Sequence, residues 1–176
     1  MEPDERTLEE IARSVERGED SIDVPEEWLV EPETPRPLPE SLWARVRSMS
    51  VGERIKLALR GNREARGLLL RDSNRLVRRL VLQNPRLTVD EVLALCRNRT
   101  ADSELLVSVA DNRDWTRNYQ VRLALVQNPR TPVPLALKLL DSLWDRDVRL
   151  LAKSKNVSDA VSAKARRLVL DREKRR

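Results

Sequence analysis

The sequence predicts an all-α fold: short stacked helices forming a small irregular α-solenoid, preceded by an acidic, partly disordered N-terminal segment. Three observations carry this prediction. Only 4 of the 176 residues are glycine, few for a protein rich in tight sheet turns, and Phe is absent, so Leu, Val and Ala must build the core. From Ser41 onward, apolar residues recur at helical spacing in short runs closed by Gly or Asn. The stretch QNPR occurs at Gln83 and again at Gln127, 44 residues later, and each copy opens another apolar run with helical spacing.

Charge divides the chain. Residues 1–47 hold 14 acidic and 6 basic residues, a net of −8, whereas residues 48–176 hold 15 acidic and 28 basic, a net of +13. Two regions follow: an acidic head over 1–47, with a short helix and a Pro-rich linker, and a basic helical-repeat domain over 48–176.

In the head, Leu8, Ile11, Ala12 and Val15 recur at roughly helical intervals. Thr7 is placed to cap this helix with Glu10 completing a capping box, and Gly18 ends it. A helix this short with one narrow apolar stripe needs a partner surface. The following stretch, VPEEWLVEPETPRPLPESLW, carries Pro25, Pro32, Pro35, Pro37 and Pro39, which remove backbone donors and favour extended chain. It reads either as a disordered acidic linker or as a peptide whose anchors, Trp28 and Leu29, dock on this chain's basic body or on another protein.

In the body, SLWARVRSM forms a short leading helix. Ser50 and Glu53 have capping-box spacing ahead of Ile55, Leu57, Ala58 and Leu59, and Gly61 is a natural stop. A second helix covers about Glu64 to Arg71. A third starts after Asp72 and Ser73, carries Leu76, Val77, Leu80 and Val81, and is interrupted at Asn84-Pro85. Pro disfavours helical geometry in the residue before it, and Asn tolerates the distorted end. The chain then restarts at Thr88, with Glu91 three residues on, and at Thr131, with Pro132 expected at the first helical position. Weaker copies lie at 98–112 and 155–169. The helices that feed these breaks share a Val-Arg pair at 77–78, 121–122 and 148–149. One unit cannot bury its apolar face alone, but several in a stack can.

The run Asn128, Pro129, Arg130, Thr131, Pro132, the apolar helix it opens as far as Leu140, and DRDVRLLA at 145–152 together resemble the bacterial leucine-rich repeat variant, a relative in style of HEAT-like repeats. The resemblance covers about residues 72–170; it is strongest at 128–152, partial at 84–95 and eroded at 98–112 and 155–169. It implies two alternating kinds of short helix and an interaction surface with no common catalytic residue. One branch of that family carries an N-terminal cysteine cluster for an iron–sulfur group. This chain has only Cys96, so that cofactor does not carry over.

Chemistry is sparse. There is no His, and the lone Cys96 lies in a helical pattern as a small buried hydrophobe, so the usual zinc, haem and iron–sulfur ligand sets are missing. No phosphate-binding loop, dinucleotide fingerprint or nucleophile elbow is present. Asp145 and Asp147 read as helix caps, and Asp111 and Asp114 beside Trp115 as loop acids. No catalytic, cofactor or metal residue is expected, and the chain reads as a non-enzyme.

Basic residues remain. Arg78, Arg122 and Arg149 either align as a positive ridge for phosphate backbones or act as staples that bind carboxylates or carbonyls of a neighbouring repeat; the staple is the preferred reading. Trp115 and Tyr119, with Trp144, are too few for a single-strand stacking platform.

The expected function is a scaffold module whose concave face binds an acidic protein segment, with the head docking in cis or competing with that partner. The candidate interaction residues are Trp28, Leu29, Arg78, Trp115, Arg117, Tyr119, Arg122 and Arg149. The alternative is non-specific duplex nucleic-acid binding, modulated by the head. No apolar run suits a membrane span, and the acidic start is unlike a secretory leader, so a cytoplasmic location is the expectation.

Overall fold

A computed structural model of the chain describes residues 4–33 and 40–174. It is all-α, with no strand among the described residues. The chain packs as two units, Met1–Leu87 and Thr88–Arg176. The change in charge at residue 47 is therefore not where the packing divides. Residues 48–87 hold 3 acidic and 10 basic residues, and together with the acidic residues before them they bring the first unit to a net of −1. The charge step marks two complementary partners within one unit.

The first unit contains α1 (Glu5–Arg17), a single 3-10 turn (Glu26–Trp28), α2 (Glu40–Ser48), α3 (Val51–Arg60), α4 (Arg63–Leu69) and α5 (Arg75–Val81). The N-terminal helix begins earlier than expected. Asp4 is its cap, and its carboxylate accepts both the Thr7 backbone N–H at 2.8 Å and the Thr7 hydroxyl at 2.7 Å. Thr7 thus sits inside the helix and cannot be its cap. Gly18 closes α1 with φ of 72°, a conformation a side chain would strain. The apolar stripe of α1 packs on α3, placing Leu8, Ala12 and Val15 in one core with Ile55, Leu57, Ala58, Leu68 and Val77. That core is the partner surface a helix of this length requires. The Ser50–Glu53 capping box forms as expected. Asn62 caps α4 and Asn74 caps α5. Of the Pro-rich stretch, Pro35, Pro37 and Pro39 lie outside the described residues, as do Arg175 and Arg176 at the end of the chain.

The second unit contains α6 (Val89–Arg97), α7 (Ser103–Asp111), α8 (Arg113–Arg117), α9 (Tyr119–Gln127), α10 (Val133–Leu140), α11 (Asp145–Lys153) and α12 (Asp159–Lys174). Thr88 and Glu91 close the expected capping box on α6. The other restart differs by one residue. Pro132 is itself the residue before α10, and the Thr131 hydroxyl is buried without a partner, so Thr131 caps nothing. A proline has no side-chain acceptor, and its own N–H is missing, so this helix starts on backbone geometry alone. The end of the unit is held by α11 against α12, around Leu140, Leu143, Val148, Leu151, Val161 and Ala165.

The recurring Asn is more than a helix breaker. The Asn84 side-chain amide donates to the carbonyls of Ala58 at 2.9 Å and Gly61 at 3.2 Å, at the end of α3. The Asn128 amide donates to Cys96 at 2.7 Å and Asn98 at 2.9 Å, at the end of α6. Each side-chain oxygen accepts an N–H two residues on, from Arg86 and Arg130 respectively. Helix ends leave carbonyls without intrahelical donors, and here a buried amide from a distant helix end supplies them. Asn62 repeats the device on the carbonyls of Glu27 and Val30. In register with that match, RIKLALRGN at 54–62 parallels QVRLALVQN at 120–128, a further copy without the proline.

Candidate protein-interaction site

The helices of the first unit hold the acidic segment by both apolar and polar contacts. Trp28 is 3% exposed and lies in the first core, with Leu29 packed against it. Polar groups fasten the stretch on either side. Lys56 donates to Asp20 at 2.8 Å and to the Ile22 carbonyl. Arg66, only 1% exposed, pairs with Glu31 at 2.6 Å. Asn62 binds the carbonyls of Glu27, inside the Trp28 turn, and of Val30, just beyond it, and its own N–H reaches the Trp28 carbonyl at 2.7 Å. Arg86 donates to the Leu29 carbonyl, and Arg45 pairs with Glu27 and lies 5.6 Å from the Trp28 ring centre. The Lys56 contact holds the Asp20 carboxyl below its ordinary range.

The Val-Arg arginines reach backwards along their own chain. Arg78 donates to the carbonyls of Asp72 at 2.6 Å and Ser73 at 3.2 Å. Arg122 makes the same pair of contacts, six and five residues back, to Thr116 at 2.6 Å and Arg117 at 3.1 Å. Each guanidinium ties down the turn leading into its own helix. Arg149 does not copy them. It meets Glu173 at 3.7 Å, while Arg172 from α12 takes the Leu143 carbonyl at 3.0 Å and Asp145 at 2.7 Å. Asp145 and Asp147 sit in the first turn of α11, but the residue before that helix is Trp144, so neither is a cap.

Around Arg122 the second unit builds an aromatic cluster. The Tyr119 and Trp144 rings stack at 3.9 Å with 14° between planes, and the Arg122 guanidinium lies 5.5 Å from the Tyr119 ring centre. The Tyr119 hydroxyl donates to the buried Asp147 carboxylate and accepts the Trp144 N–H at 3.3 Å. Burial first, and then the Asp147 carboxylate, push the Tyr119 phenol above its ordinary range. Trp115 is half-buried on α8, with its indole nitrogen enclosed and unpartnered. Arg117 is exposed and pairs with Asp114 at 3.0 Å, a contact fully in solvent and worth little.

Trp144 itself is 58% exposed. Next to it, α11 turns Asp147, Val148 and Leu151 inward and leaves Arg146, Arg149, Leu150 and Lys153 outside. Positions i, i+3, i+4 and i+7 share one helix side, so these four form a single outer strip. A shallow groove beside it is lined by Asp145, Val148, Arg149, Val169, Arg172 and Glu173.

Of the sequence-derived candidates, Tyr119 and Arg122 meet in this cluster. Trp28 and Leu29 belong to the first core, Arg78 ties a turn, and Arg149 stands on the strip. Sequence reasoning passed over Trp144, Arg146 and Leu150. A signal was present: an apolar residue between basic ones on a helix whose inward positions are already satisfied.

Among the described residues no group of three His, Cys, Asp or Glu side chains is placed to hold a metal, and no helix is long and apolar enough to cross a membrane. Burial pushes the Cys96 thiol up to about 12, far from a reactive thiolate. No protein-family model, curated protein or solved structure matches the chain.

Proposed function

We propose that this chain is a non-catalytic protein-interaction module whose Thr88–Arg176 unit binds an acidic segment of another protein. The observation that carries the reading is the docked acidic stretch of the first unit. There, residues 19–33 lie on Lys56, Asn62, Arg66 and Arg86 through carboxylates and backbone carbonyls, with Trp28 as the buried anchor. That unit is close to neutral, at a net of −1. The second unit holds 12 acidic and 18 basic residues, with no acidic stretch of its own to neutralise them. Charge complementarity of this kind selects partners and speeds encounter. The recurring carbonyl-binding Asn and the back-reaching Arg support a helical-repeat scaffold akin to the leucine-rich repeat variant, working as a soluble cytoplasmic protein.

The test uses the full chain and a fluorescein-labelled peptide of residues 24–33, in parallel with the same peptide carrying Gln for each Glu. The docked stretch of residues 19–33 is covalently tethered at about millimolar effective concentration, so the added peptide samples free surface. Anisotropy should report binding that weakens with salt and is lost in the Gln peptide. Equal binding of both peptides refutes the reading. Tighter binding of random-sequence duplex DNA, with a steep salt slope, replaces it with the nucleic-acid alternative.

A further inference from the structure

We infer that the groove of the first unit filled by residues 19–33 is a peptide-binding site occupied in cis, and that it takes an acidic segment of another protein carrying one tryptophan. This is a second site, apart from the surface proposed above, and it does not depend on that reading.

The helices themselves aim the donors of this groove. The Asn62 side-chain oxygen accepts the Ala65 N–H at 3.0 Å, which turns its amide toward the carbonyls of Glu27 and Val30. Arg66 donates to the Gly61 carbonyl at 3.0 Å and is 1% exposed, so its own surroundings fix the guanidinium. Side chains oriented before a ligand arrives lose little freedom on binding it. Asn84 makes the same kind of contact, on the carbonyls of Ala58 and Gly61 where α3 and α5 pack together. At Asn62 the carbonyls come from a 3-10 turn instead. The docked stretch thus stands where a preceding helix end would complete the repeat.

The stretch is held as a ligand is held. Its regular structure is that single turn, Glu26–Trp28. The α3, α4 and α5 ladders are internal to those helices, so an exchange leaves them whole. Part of the grip falls on main-chain carbonyls, those of Ile22, Trp28 and Leu29 among them, which any peptide offers. Three side chains set the pattern. Asp20 meets Lys56 at 2.8 Å, and Trp28 enters the core. Glu31 places one oxygen on Arg66 at 2.6 Å and the other on the Arg63 N–H at 2.9 Å. An occupant therefore carries a carboxylate eight residues before its tryptophan and another three residues after it. A buried aromatic anchor with charge complementarity around it is a common basis of peptide recognition.

The tether sets the terms of exchange. Residues 19–33 compete at about millimolar effective concentration, so a free segment of equal affinity gains little occupancy at micromolar levels. Weakening the docked stretch raises the fraction of chains able to bind in trans, and the apparent affinity rises with it.

The experiment uses the full chain and a fluorescein-labelled peptide of residues 19–33. Anisotropy compares wild type, Trp28→Ala, and the double variant Asp20→Asn with Glu31→Gln, and circular dichroism checks the fold of each. The double variant loosens the stretch through its carboxylates alone, should Trp28→Ala fail to fold. Each variant is expected to bind the peptide at least about tenfold more tightly than wild type does. A peptide carrying Trp28→Ala should lose that gain. Adding Lys56→Gln to either variant should weaken binding, and the loss should vanish when the peptide carries Asp20→Asn, which fixes the register in the groove. If the variants bind no more tightly than wild type, or Lys56→Gln changes nothing, the groove serves the fold alone and the inference falls. A wild-type chain that sediments as a dimer, with the dimer lost in Trp28→Ala, would make the occupant a second copy and overturn the assignment to another protein. Glutamate-dependent binding to wild type reports on the other unit, and that reading stands or falls separately.

Discussion

Replacing Asn128 by Ala isolates the contact that joins the ends of α6 and α9. The Cys96 carbonyl lies in the last turn of α6, and the N–H four residues on, that of Thr100, is turned to the Asn98 side chain at 2.9 Å. The Asn128 amide at 2.7 Å is thus the donor that carbonyl uses in a buried setting. Removing it strands a buried acceptor, at about 1–3 kcal/mol. The other two contacts cost less. The Asn98 carbonyl still accepts from Ala101 at 3.1 Å, and the Arg130 N–H belongs to an exposed residue that water can reach. The expected loss is about 2–3 kcal/mol for Asn128→Ala. Asn156, which holds the matching place in the last copy, is exposed, and Asn156→Ala should stay within about 0.5 kcal/mol of wild type. Urea unfolding of the full chain, followed by tryptophan fluorescence and far-ultraviolet circular dichroism, measures both. Equal costs for the two variants would show that the Asn acts only through local turn preference and that its reach across the fold contributes nothing.

Three other outcomes are expected. Gly61→Ala would put a methyl 2.3 Å from the Leu57 carbonyl and 2.9 Å from the Ala65 side chain, so the end of α3 must shift, and urea unfolding should show a loss of about 2–3 kcal/mol. Asp20, held below its ordinary range by Lys56, contributes stability that is complete above about pH 5 and fades as the pH falls through its lowered folded value; the difference in unfolding midpoint between wild type and Asp20→Asn should therefore be constant near neutrality and shrink in acid. The single tyrosine makes Tyr119 directly readable by tyrosinate absorbance: its titration should lie above about pH 10 and move downward in Asp147→Asn, and a midpoint unmoved by that change would remove Asp147 as the phenol's partner.

Local rules and tertiary contacts contributed differently to what was legible. The capping boxes at Ser50 and Thr88, the glycine stops at Gly18 and Gly61, and the breaks at Asn84 and Asn128 depend on residues within a few positions of each other, and all are visible in the chain. Caps were misplaced at Thr7, Thr131, Asp145 and Asp147, where the helix starts instead from Asp4, Pro132 and Trp144, one to three residues away. The partners of the arginines were harder to foresee. Arg78 and Arg122 bind carbonyls just upstream, whereas Arg149, in the same motif, lost its carbonyl to Arg172 on another helix.

From sequence alone came the all-α class, the short punctuated helices, the recurring Asn-Pro breaks and the opposition of acidic and basic regions. These follow from composition, backbone preference and spacing, which act over a few residues. Tertiary structure alone decided that the acidic stretch belongs to the core of the first unit, that Asn84 and Asn128 bind helix ends 23 or more residues away and Asn62 the carbonyls of Glu27 and Val30, and that Trp144 stays outside on a fixed Tyr119. Each of these depends on which carbonyl, carboxylate or ring lies within about 3–4 Å across the fold, a proximity set by packing and not by residue type.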